Sequence, residues 1–177
     1  MKKTIYRMML ILCLFITVIF TVMYVDKTVK TDPYEHLVNI KSEYPVWVPT
    51  KFLYMEQVED NLYLVFYKNK NRSMTCALIK KLICFYRVLD YSGEISFYSH
   101  KNRWTNQNER VSLNYSYCSE LDRWIYWGAV YDDTVNSVII EGRECNIINI
   151  DKYNVRICWF LDDAGKADDP GDDYILN

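Results

Sequence analysis

The sequence predicts a mainly β protein: an N-terminal transmembrane helix, one short helix, then an antiparallel β-sandwich or barrel-like domain of about eight strands. Three observations lead there. Met8 to Val25, MMLILCLFITVIFTVMYV, is eighteen residues without a charge. Thr31-Asp32-Pro33 reads as a helix start. From Phe52 onward, short runs rich in Tyr, Val, Ile and Phe alternate with polar clusters, the pattern of strands joined by tight turns.

At about 1.5 Å per residue the apolar run spans roughly 27 Å, close to the hydrocarbon thickness of a bilayer. Lys2, Lys3 and Arg7 precede it, and Asp26, Lys27, Lys30 and Asp32 follow. The positive-inside rule then puts residues 1–7 in the cytoplasm, 8–25 in the cell membrane as a single-pass anchor, and the rest outside. A cleaved signal peptide is the rival reading, but Thr21 to Lys30 offers no pair of small residues for cleavage. Leu10-Ile11-Leu12-Cys13 departs from a lipobox, because Leu12 is large and the apolar run continues past Cys13.

Residues 26–32 read as a polar tether. Asp32 caps a helix whose first residue is Pro33, with Glu35 in the first turn where the helix dipole favours it. The helix is expected over residues 33–43, since Pro45 and Pro49 lie just beyond. Strands are expected at residues 52–58, 61–67, 73–80 and 82–89. Tyr91-Ser92-Gly93-Glu94 reads as a turn, with residues 95–98 continuing beyond it. Lys101 to Glu109 is the longest polar loop. Further strands follow at 111–117, 124–131, 135–141, 145–150 and 155–161, the third and fourth of these pairing across Gly142-Arg143. The exported β domain thus covers residues 33–161. Residues 162–177 form an acidic tail whose Tyr174-Ile175-Leu176 end is able to dock back.

Charge excludes one class of partner. The net charge is −2, and a nucleic-acid binder needs clustered Lys and Arg to neutralise phosphates. Beyond the span, 18 basic residues face 23 acidic ones. No nucleic-acid partner is expected. The lipid bilayer is the expected partner of the N-terminal helix, and an envelope protein or a wall glycan that of the domain.

No catalytic motif stands out, no cofactor is expected, and the chain reads as a binding or interaction domain rather than an enzyme, the alternatives being a cell-envelope hydrolase or thiol enzyme with no recognisable motif and a purely structural membrane protein. There are two histidines, His36 and His100. Cys118 is the nearest approach to a nucleophile, without a partner base in sequence. The cysteines outside the span, at 76, 84, 118, 145 and 158, lack the paired spacing zinc uses. Asp162, Asp163, Asp168, Asp169, Asp172 and Asp173 do not match the calcium loop of an EF-hand. Lys80-Lys81 marks a bend, since adjacent strand residues point to opposite faces. The aromatic residues Trp104, Trp124, Trp127 and Tyr126 make a candidate binding surface, although aromatics also fill strand cores.

The stretch Arg143–Phe160 poses the sharpest geometric question. With Asp151-Lys152 as a two-residue hairpin loop, Ile150 faces Tyr153, Ile148 faces Val155 and Asn146 faces Ile157. One face then gathers Ile148, Ile150, Val155, Ile157 and Tyr153. The other sets Cys145 opposite Cys158, where a cross-strand disulfide is geometrically open. A two-residue slip keeps both faces and removes that pair.

The runs Ala77–Gly93, Trp127–Asp132 and Arg156–Phe160 resemble a group of small, single-span extracytoplasmic proteins of unknown function from Gram-positive spore-forming bacteria. The resemblance implies location and β architecture, and no activity. Cys84 stands where that pattern has a glycine.

Overall fold

A computed structural model describes residues 2–29, 32–40, 44–83, 85–98, 109–162 and 174–177. Helix α1 (Lys2–Val29) opens the chain. Its segment Ile5–Val22 is long and apolar enough to cross a membrane, and none of it is buried against the protein. The helix runs past the expected span into residues 26–29, so the first part of the expected tether is helical, and residues 30 and 31 lie outside the described residues. Helix α2 (Pro33–Asn39) begins as expected: Asp32 Oδ1 accepts the Glu35 backbone N–H at 2.7 Å, and Pro33 occupies the first turn. It stops at Asn39, short of the expected residue 43.

The β domain is built on two four-stranded antiparallel sheets, which do not close into a barrel among the described residues. The first holds β1 (Pro49–Glu59), β2 (Leu62–Asn69), β3 (Met74–Lys81) and β4 (Tyr86–Ile95), in that order. The second has the order β5-β6-β10-β9, from β5 (Val111–Cys118), β6 (Arg123–Val130), β9 (Asn146–Ile150) and β10 (Val155–Asp162). A small third sheet joins β11 (Tyr174–Leu176), β7 (Val138–Ile140) and β8 (Arg143–Glu144). The described residues hold eleven strands rather than about eight, because the tail docks and the Arg143 region splits in two.

Period-two alternation builds three packed layers from these sheets. Leu64, Phe66 and Leu78 of the first sheet meet Ile125, Trp127, Ile157 and Trp159 of the second in the central core. The Phe66 and Trp127 rings cross edge-on at 5.9 Å. Leu37 of α2 covers the outer face of the first sheet over Val65, Tyr67, Ala77 and Ile79. The third sheet covers the outer face of the second, where Val138 and Ile140 pack against Tyr126, Cys158 and Phe160. The sheets are tied where β4 passes β5 by Ser116 Oγ, which donates to Asp90 Oδ2 at 2.6 Å.

Two local readings are reversed. Residues 91–94 are strand, not turn: Gly93 has φ +42° and sits at a bulge, where Met74 pairs with Ile95 but Cys76 with Ser92. A bulge, like a turn, draws glycine. A Cβ there would lie 1.9 Å from Asn114 Nδ2, so β5 also needs that gap. Conversely, Leu82, Ile83 and Phe85 fall in the β3–β4 connection, although their composition reads as strand. Lys80 and Lys81 end β3 half-exposed, the Lys81 ammonium lying 6.0 Å from the Tyr86 ring centre, so neither lysine is buried.

The region after β6 also departs from expectation. Glu141 and Gly142 both have positive φ, 51° and 73°, which closes a tight hairpin between β7 and β8. The chain then changes sheets at Cys145, and β9 pairs with β10 instead of with the 135–141 segment. Asp162, expected in the tail, ends β10, is buried, and pairs with Arg143 at 2.5 Å.

Candidate functional site

The expected aromatic surface is not assembled as such. Trp127 is fully buried in the central core, its Nε1 donating to Ser92 Oγ at 2.7 Å. Tyr126, on the opposite face of β6, is buried under the third sheet and stacks on Phe160 at 4.5 Å. β6 is a central strand apolar on both faces, and burial on both sides leaves neither ring for a ligand. Trp104 lies outside the described residues. Trp124 remains partly exposed, within a strip that continues to Tyr117 at 5.2 Å and Tyr115 at 5.8 Å.

The two cysteines share a face but not a rung. Cys158 stands opposite Ile147, and Asn146 opposite Trp159. The turn is longer than two residues: Asp151–Tyr153 forms a 3-10 turn and Asn154 takes the left-handed conformation at φ +49°. That shifts the register by two residues, keeps Ile148, Ile150, Val155 and Ile157 on the core face, and moves Cys145 off the rung of Cys158. Both are buried free thiols. The hydrogen bond with Cys145, and then burial, push the Cys158 thiol well up. Cys118 is also buried, and desolvation raises its thiol. Raised thiols are poor nucleophiles, because the thiolate is the reactive form. His36 is half-buried and lowered by that burial, while His100 lies outside the described residues. Among the described residues no three His, Cys, Asp or Glu side chains group as metal ligands.

The longer turn has a second effect. It carries Asp151 and Asn154 beside the loop that leaves β6. Between them is a cleft of about 260 Å³, floored by Val130, Ile150 and Val155 and lined by Tyr131, Asp133, Asn149, Asp151, Asn154 and Arg156. The antiparallel register brings these together, since Arg156 pairs with Val130 and with Asn149.

Each wall is fixed by its own bonds. Asp132 accepts from the Thr134 backbone N–H at 2.9 Å and from the Thr134 hydroxyl at 2.6 Å, a local turn that orders the loop. Arg110 Nε donates to Asp132 Oδ2 at 2.6 Å. These bonds, the Thr134 hydroxyl first, hold the Asp132 carboxyl down to about 2. Arg156 donates to the Asp132 carbonyl at 3.2 Å and to the Val135 carbonyl, clamping the loop over the sheet. The Tyr131 hydroxyl donates to the Ser96 carbonyl at 2.7 Å, and burial raises its phenol to about 12.

The lining mixes carboxylate acceptors, amides that both donate and accept, and a guanidinium held in place. That is a hydrogen-bonding surface for a hydroxyl-rich or amide-bearing group. A second hollow of about 420 Å³, between the β7–β8 turn and β11, is lined by Ile139, Glu141, Gly142, Tyr174 and Ile175 and offers fewer polar groups. Sequence reasoning treated Asp132-Asp133 and Asp151-Lys152 only as turns. The signal present was that both acidic turns flank strands which, once paired, set them side by side. Comparison with known protein families, characterised proteins and solved structures finds no match to this chain.

Proposed function

We propose that the protein is a membrane-anchored binding module whose β domain lies outside the cytoplasm and holds a polar envelope glycan in the Asp133–Asp151–Arg156 cleft. The basic residues Lys2, Lys3 and Arg7 ahead of the span support that orientation. The observation that carries the reading is the cleft itself. Its cavity is small, near the lower end for ligand sites, and suits one or two sugar rings. Asp133 and Asp151 accept from hydroxyls, Asn149 and Asn154 bond amides or hydroxyls, and Arg156 is preorganised by its two carbonyl bonds. The domain acts by binding, without catalysis.

Calorimetric titration of the full chain in lipid nanodiscs with N-acetylated and neutral oligosaccharides tests this. Saturable binding that Asp133→Asn together with Asp151→Asn abolishes supports the reading. Absence of binding across the panel, with the domain folded, sinks it. The strip Tyr115–Trp124–Tyr117 favours a second reading, a protein partner on the β5 edge, because Tyr and Trp anchor interfaces.

A further inference from the structure

The β3–β4 connection carries apolar residues where turns ordinarily carry polar ones. Ile83 is 100% exposed and Phe85 is 42% exposed, with Leu82 half-exposed beside them. Within the connection the Leu82 N–H donates to the Phe85 carbonyl at 2.7 Å, which brings these two residues to the base of the tip. Single exposed apolar residues are ordinary, but three within one short connection form a patch that calls for a partner. Lys80 and Lys81 lie just before the tip and Arg87 just after it. An apolar tip with a basic collar is the chemistry that settles at a bilayer surface: the tip enters the acyl boundary while the cations stay among headgroups.

The position of the tip agrees with that chemistry. Tyr86 follows Phe85, and its ring lies 6.2 Å from His36 of α2, the helix that begins at Pro33, four residues after α1 ends at Val29. Asp32 caps α2 at its first turn. Asp32 is three residues from the end of α1 at Val29. Val38 of α2, the helix that packs against Tyr86, is exposed as well. Of the acidic residues at this end, Glu120 pairs with Arg87 at 3.0 Å and Glu59 with Arg123, and Asp60 of the β1–β2 turn is exposed next to Asn61, whose carbonyl accepts the Lys81 N–H.

We propose that the β3–β4 tip is a second, peripheral membrane contact, in which Leu82, Ile83 and Phe85 enter the bilayer interface and Lys80 and Lys81 meet the headgroups. The inference rests on α1 spanning the bilayer. Docking at both points fixes the domain against the membrane and gives the cleft a defined height above it.

Photocrosslinking of the full chain in nanodiscs of phosphatidylcholine and phosphatidylglycerol tests it. A benzophenone amino acid replaces Ile83, Phe15 of the span, or Asn71 in the β2–β3 turn at the opposite end of the sheet. The expected result is lipid adducts at positions 83 and 15 and none at 71. Adducts at 15 without adducts at 83 overturn the tip contact and leave the anchor standing. Absence of adducts at 15 overturns the anchor, and the tip contact with it. Equal adducts at 83 and 71 show unspecific lipid access and also overturn it. Loss of the adduct from position 83 in Lys80→Glu with Lys81→Glu supports the headgroup role.

Discussion

Trp127 of the second sheet donates its indole N–H to Ser92 Oγ of the first, 2.7 Å away across the central core. Ser92 is itself buried, so no water stands ready to replace it. Ser92→Ala leaves the indole N–H unpaired, at a cost of about 1–3 kcal/mol. Urea unfolding of the two proteins measures the difference, and equal midpoints contradict a role for the bond. Trp159 Nε1 is buried with no partner among the described residues. Trp159→Phe is therefore expected to cost less than Trp127→Phe.

Gly128 leaves space that the neighbouring strands use. A Cβ there would lie 2.4 Å from the Ser112 carbonyl oxygen and 3.3 Å from the Cys158 sulfur. Backbone cannot move aside as a flexible side chain can, so Gly128→Ala is expected to destabilise by about 1–3 kcal/mol. Gly142 also has positive φ but meets nothing within 4 Å. Gly142→Ala strains only the local turn, and its unfolding midpoint is expected between those of wild type and Gly128→Ala.

Arg156 links stability to the cleft. Lysine at this position cannot reach both the Asp132 and Val135 carbonyls, because its single ammonium lacks the planar fork. Arg156→Lys is expected to lower stability by about 1–3 kcal/mol and to weaken glycan binding. Asp133→Asn keeps the clamp, so it is expected to weaken binding while leaving the melting temperature unchanged. If both variants melt alike, the clamp is not the loop's main restraint.

Asp132 gives a pH signature. Its carboxyl sits at about 2 in the fold, against an ordinary value of 3.8. A depressed acid stabilises the fold fully above its unfolded value, and that contribution disappears as pH falls through the folded one. The expected window is therefore roughly pH 4 down to pH 2. Melting temperatures across it fall more steeply for wild type than for Asp132→Asn. Parallel curves overturn the assignment.

The cysteine stretch shows how much was legible beforehand. Alternation alone assigned Ile148, Ile150, Val155 and Ile157 to the core face, and they are there. It could not choose between registers two residues apart, because a two-residue slip returns each side chain to the same face. The choice fell to the turn, where Asn154 takes a left-handed conformation and lengthens the loop. The same choice moved Cys145 off the rung of Cys158, leaving the two thiols on one face, and built one wall of the cleft.

Local chemistry was readable elsewhere too. The uncharged N-terminal run became a helix long enough for a bilayer, and Asp32-Pro33 started α2. Most strand-forming runs became strands, the edge strands β1, β5 and β9 included. The glycine at 93 and the apolar residues at 82–85 were misassigned because a bulge and a turn draw the same residue, and because composition does not report exposure.

The sequence by itself determined the apolar N-terminal helix, the cap of α2, the β class and the core face of the β9–β10 hairpin, since these depend on spacing within a few residues. Tertiary structure decided the registers, the sheet change at Cys145, the burial of Trp127 and Tyr126, and the meeting of Asp133 with Asp151. Those depend on contacts between segments distant in the chain, whose geometry is set by turns and packing together rather than by any one segment's pattern.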